Sequence, residues 1–135
     1  MTRNRFLGSL LALATLAGGT ALAGTKFGQP GVSVNLKGRH ASAYLGYTRN
    51  SANETEHAGC IVGSSNGYLS VNCYAVDPNG VQGGCHSQDQ ATVGAFVASL
   101  GALHSDGMVW FFWNDDAECT TVITQFNSGF EPKLP

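Results

Sequence analysis

The chain has 135 residues, a formal net charge of −2, 43% hydrophobic residues and only 12% charged ones. That length allows one domain, or two very small ones, and the charged fraction is about half that of an ordinary soluble domain. The charge balance excludes a strong field for nucleic acid or anionic membrane, the 18 glycines argue against a helical bundle, and the abundant aromatic and β-branched residues argue against disorder.

Residues 1–23 have the layout of a cleaved secretory signal peptide. Arg3 and Arg5 make a positive start, Phe6 to Leu16 is a mainly apolar run, and Ala21-Leu22-Ala23 is an A-x-A cleavage site before Gly24. The apolar run is about 11 residues, whereas spanning a bilayer takes ~20. The expected mature chain, residues 24–135, is a single domain of 112 residues carrying five bases against nine acids, a net charge of −4. It is expected to be secreted or periplasmic, with no stable membrane insertion after cleavage.

Within that domain, 24–30 reads as a leader. Val32, Val34 and Leu36 alternate with Ser33, Asn35 and Lys37, the period of a half-buried strand. Ser42 to Tyr47 reads as a second strand, with Ala43 and Leu45 on one face. Thr48 to His57 is polar and aperiodic, hence a loop. Cys60–Val62 and Tyr68–Val76 are expected strands flanking a turn at Gly63 to Gly67, because Asn66-Gly67 tolerates positive φ. Asp77-Pro78-Asn79-Gly80 predicts the next turn, and a short strand follows at Val81 to His86.

Val93, Phe96, Val97 and Leu100 form one apolar stripe at helical spacing. Ser87 and Gln90 fit a capping box and Gly101 a C-terminal stop, which predicts a helix over Gln88–Leu100. Ser105-Asp106-Gly107 is a turn. Met108 to Trp113 is apolar throughout, Asn114 to Glu118 is a polar hairpin tip, and Cys119 to Phe126 returns as a β-branched strand. The expected fold is therefore α+β: a small disulfide-stapled domain, a mainly antiparallel sheet of five to seven strands with one packed helix.

Cys60, Cys73, Cys85 and Cys119 are an even set in an exported chain, which predicts two disulfides. Three connectivities are open. The hairpin register sets Cys73 nearly opposite Cys85, and a bridge between cross-strand neighbours is uncommon. The preferred pairing is Cys60–Cys73 with Cys85–Cys119. No pair has C-x2-C spacing, and no metal or other cofactor is expected.

Gly63-Ser64-Ser65-Asn66-Gly67 matches the G-x-S-x-G pattern of a nucleophile elbow, which needs a strand before it and a helix after it. Here the following segment alternates like a strand, so a hairpin turn accounts for the residues. His40, His57, His86 and His104 stand in no metal-binding pattern. A small secreted hydrolase could combine His57 or His86 with Glu54 or Glu56 and with Arg39 or Arg49. No catalytic residue is singled out on that ground, since any chain with four histidines offers such sets. Asp115, Asp116 and Glu118 beside Asn114 could hold calcium, but they lack D-x-D-x-D-G spacing and read as a solvated turn. Asn53-Glu54-Thr55 is an N-x-T sequon. No motif specifies a family.

The aromatic residues carry the functional expectation. Trp110, Phe111, Phe112 and Trp113 put large rings on both faces of one strand. Tyr44, Tyr68 and Tyr74 sit on the polar sides of theirs. Flat amphipathic rings suit sugar or protein surfaces, because they bury area at low entropic cost. The expected binding residues are Tyr44, Tyr68, Tyr74, Trp110 and Trp113. The expected function is an exported, non-enzymatic binding domain for a glycan or a protein, including a secreted hydrolase that it inhibits. The alternatives are a small secreted hydrolase using a histidine and a loop carboxylate, or a passive envelope or matrix protein.

Overall fold

The computed structural model describes residues 31–103 and 106–126. The expected signal peptide at residues 1–23, the expected leader, His104, Ser105 and the tail after Phe126 lie outside the described residues. In chain order the elements are β1 (Val32–Asn35), β2 (His40–Tyr44), α1 (Leu45–Asn50), β3 (His57–Ser65), β4 (Tyr68–Val76), β5 (Gln82–Ser87), α2 (Gln90–Gly101), β6 (Met108–Trp113) and β7 (Cys119–Gln125). All named strand pairs are antiparallel. They form two sheets rather than one: β1-β2-β6-β7 and β3-β4-β5.

Strand alternation explains the core between these sheets. Ala41 and Ala43 of β2, Val109 and Phe111 of β6, and Val32 of β1 turn inward from the four-stranded sheet. Val71, Cys73 and Ala75 of β4 meet them, with Cys85 of β5. Helix α2 adds Val93 and Phe96 and lies along β7, where the Thr124 hydroxyl donates to the Ser99 carbonyl at 3.3 Å. Burying each large apolar side chain here stabilises the fold by about 1.5–3 kcal/mol. Val97, the outermost residue of the predicted stripe, stays exposed.

Three local expectations change. The second strand ends at Tyr44, and Leu45 to Asn50 is a short helix rather than strand and loop. Gly46 is buried there, the Thr48 hydroxyl donates to the Tyr44 carbonyl at 3.0 Å, and the Leu45 N–H donates to Gly107 at 3.0 Å. Leu45 still packs against the core, so its apolar character fits helix and strand alike. The β3–β4 hairpin closes on Asn66-Gly67 alone, at φ +52° and +82°. Strand residues flank that two-residue turn, so Ser65 sits on no elbow.

The cap of α2 also differs. Ser87 is the last residue of β5, and its hydroxyl accepts the Asp89 N–H at 3.2 Å. Asp89 is the N-cap, its carboxylate accepting the Thr92 N–H at 2.8 Å. At the other end Gly101 belongs to the helix and Ala102 is the C-cap. The Thr92 backbone bond holds the Asp89 carboxyl below its ordinary pKa. A lowered folded pKa adds stability above the unfolded value of about 3.9, lost as pH falls through the folded value. Asp89→Ala should therefore lower the urea midpoint at neutral pH, and its difference from wild type should shrink in acid.

Both disulfides pair as expected: Cys60–Cys73 and Cys85–Cys119. The reason is different. Cys73 does face Cys85, but Cys60 also faces Cys73 directly. In an antiparallel pair the backbone groups of alternate residues point to opposite neighbours. The Asp77 N–H donates to Val81 at 3.0 Å, which sends the odd-numbered residues of β4 toward β5. Cys60 and Cys73 are therefore a narrow, non-hydrogen-bonded pair, 4.0 Å apart at Cα. Cys73 and Cys85 are a wide, hydrogen-bonded one. The narrow pair takes the neighbour bridge, and Cys85 reaches across to β7.

Candidate binding site

The two sheets turn opposite outer faces away from the core. On the three-stranded sheet the outer rows are His57–Val76–Gln82, Gly59–Tyr74–Gly84 and Ile61–Asn72–His86. Tyr74 is 42% exposed. Glycine occupies both cross-strand positions beside it. A Cβ at Gly59 would stand 3.1 Å from the Tyr74 hydroxyl and 3.4 Å from the ring carbon bearing it. The phenol thus lies down over β3 in space that any other residue would fill. The His57 ring centre stands 6.0 Å away, tilted by 57°.

An open groove of about 700 Å³ runs beside this ring, lined by Glu54, His57, Tyr74, Gln82 and Gly84 among others. Its polar groups are planar and face solvent. His57 Nδ1 lies 2.8 Å from the Thr55 carbonyl, which can only accept, so Nδ1 carries the proton. Nε2 has no hydrogen-bond partner among the described residues. The loop that presents Glu54 is held by Asn53, whose side-chain oxygen accepts the Thr55 and Glu56 N–H groups at 2.8 and 2.9 Å.

The five expected binding residues are distributed over the molecule. Tyr74 lines the groove. Tyr68 shares its outer face and is 69% exposed, but stands six residues along β4, about 20 Å away. Tyr44 and Trp110 are half-buried on the outer face of the other sheet. Trp113 points inward against β5, where a Cβ at Gly83 would come within 2.8 Å of its indole.

Trp110 has neighbours that sequence reading missed. His40 and Phe112 lie 5.6 and 4.9 Å from it, centre to centre, joined by their register on β2 and β6. The His40-Ser42-Tyr44 alternation was the available signal. The Trp110 indole N–H is buried with no hydrogen-bond partner among the described residues. Gln82 in the groove and the two glycines flanking Tyr74 were likewise missed, because nothing in the chain announces which residues stand near a tyrosine on neighbouring strands.

The hydrolase residues separate. His57 and Glu54 both line the groove, and among the described residues no hydrogen bond joins them. Glu56 is buried, holding the Val32 N–H at 3.0 Å. Arg39 pairs with Asp115 and Arg49 with Asp106. His86 is exposed on β5. At the hairpin tip the Asn114 side chain accepts the Asp116 and Glu118 N–H groups at 3.0 and 2.9 Å, so the tip is a self-bonded turn. The sulfurs of Cys73, Cys85 and Cys119 lie within 4.8 Å of one another, each engaged in a disulfide. Among the described residues no helix is long and apolar enough to cross a membrane. Comparison with protein-family models, curated proteins and solved structures finds no match to this chain.

Proposed function

We propose that the protein is an exported domain that binds a glycan in the Tyr74 groove. The observation that carries this reading is the Gly59–Tyr74–Gly84 row, a flat ring laid open between two glycines with planar polar groups beside it. A sugar ring presents C–H groups on one face and hydroxyls at its edge. Tyr74 offers the apolar partner for that face, while Glu54, His57 and Gln82 offer acceptors and donors for the edge. The expected leader at residues 1–23 and the two disulfides support export to an oxidising compartment.

The test is retention of the purified protein on an array of neutral and acidic oligosaccharides. Tyr74→Ala should weaken binding by about 2 kcal/mol or more, as truncation of a central aromatic anchor does. Gly59→Ala should weaken it too, by lifting the ring, while leaving the core intact. Retention unchanged by both variants would sink the groove. Loss of a protein partner, with no glycan retained, would favour the protein-binding reading. The shared position of His57 and Glu54 favours one further reading, a hydrolase, which release of reducing ends from a retained glycan would reveal.

A further inference from the structure

The three-stranded sheet has two edge strands, β3 and β5. At the end of β5 the Ala117 carbonyl accepts the His86 N–H at 3.0 Å. Where β4 overhangs β5, the Gln90 side chain takes the place of a strand. Its Nε2 donates to the Leu69 carbonyl at 3.0 Å and its Oε1 accepts the Leu69 N–H at 3.4 Å. Among the described residues no such group covers β3, near which helix α1 packs. Leu69 directs its backbone groups at Gln90 and so away from Ser64, its register partner. By antiparallel alternation, Ala58, Cys60, Val62 and Ser64 turn their N–H and C=O groups outward. No hydrogen bond meets them among the described residues.

Natural sheets blunt such edges with lysine, proline or a bulge. Strand β3 has none of these, and its nine-residue register with β4 is unbroken. The whole hairpin from Ala58 to Val76 carries no charged residue. Ile61 is 60% exposed on its outer face and Val62 40% exposed on the other.

We propose that β3 pairs edge to edge with β3 of a second copy, joining two three-stranded sheets into one of six strands. Charge favours a second copy as the occupant. Two like molecules with excess acid repel over most of their surface, and this neutral arm is where they can approach. The edge is also self-complementary. A two-fold axis at Ile61 sets Ala58 against Ser64 of the second copy and Cys60 against its Val62, so every outward residue finds a partner. Ile61 then meets Ile61, with glycines at 59 and 63 clearing space on either side. The interface is small, below ~1,200 Å², the class of weak and transient encounters. Both Tyr74 grooves would lie on the same face of the joined sheet.

Sedimentation velocity of the purified protein from about 1 μM to 1 mM tests this. Wild type should pass from monomer to dimer and no further. Ile61→Lys and Ile61→Glu should each weaken dimerisation about tenfold or more, since like charges then face across the axis. An equimolar mixture of the two should recover it. Circular dichroism and intact disulfide mass check that both variants fold, Ile61 being a surface residue. A monomer throughout the range, a dimer indifferent to both charges, or open-ended association would each overturn the proposal.

Discussion

Phe111→Ala is expected to remove about 3–5 kcal/mol of unfolding free energy, measured as a fall in urea midpoint at unchanged slope. Phe111 is 0% exposed and sits on β6 where β2 and β7 flank it, facing Val122 across the pair and packed among Ala41, Ala43 and Phe96. The two alanines are why the cost falls at the high end. A cavity relaxes when neighbours can lean into it, and a methyl group fixed on a strand cannot. Small domains have only 5–15 kcal/mol in total, so this one truncation consumes a large fraction of it. Phe112→Ala, one residue on, removes a half-buried ring from the outer face and should have a clearly smaller effect.

Removing the Cys85–Cys119 bridge should destabilise by nearly as much. The chain-entropy estimate is about 4 kcal/mol for its separation of 34 residues and about 3 kcal/mol for the 13 residues of Cys60–Cys73. The longer bridge also ties the two sheets, since Cys85 belongs to β5 and Cys119 to β7. Cys85→Ala with Cys119→Ala should therefore lower the urea midpoint more than Cys60→Ala with Cys73→Ala. The reverse order would mean that native packing, rather than restriction of the unfolded chain, sets the value of these bridges. Paired substitutions are needed because a lone Cys73 thiol would lie beside the remaining disulfide.

Strands β1, β4, β6 and β7, the Asn66-Gly67 and Asp77 to Gly80 turns and helix α2 were legible because each is a local signal. Period-two alternation, positive-φ residues and a 3.6-residue stripe are written in neighbouring positions. The errors fell where two local readings compete. Leu45 satisfies strand and helix alike, and Ser87 with Gln90 matches a capping box that Asp89 fills more simply. The Cys60–Cys73 pairing was reached by an argument against neighbour bridges, yet it is one, because the deciding quantity is the narrow or wide character of the pair.

The candidate site was legible only in its single residues. Tyr74 could be named from alternation on its own strand. That Gly59 and Gly84 flank it, that Gln82 and His57 share one outer row across Val76, and that Trp113 turns inward while Trp110 turns outward depend on register between strands distant in sequence. By itself the sequence determined the α+β class, the helix, most strands and the pool of aromatic and sulfur-bearing residues. The division into two sheets, the open edge of β3 and the groove beside Tyr74 were decided only by tertiary structure. The reason is that a strand's pattern says which residues share a face, whereas pairing between strands decides what those faces meet.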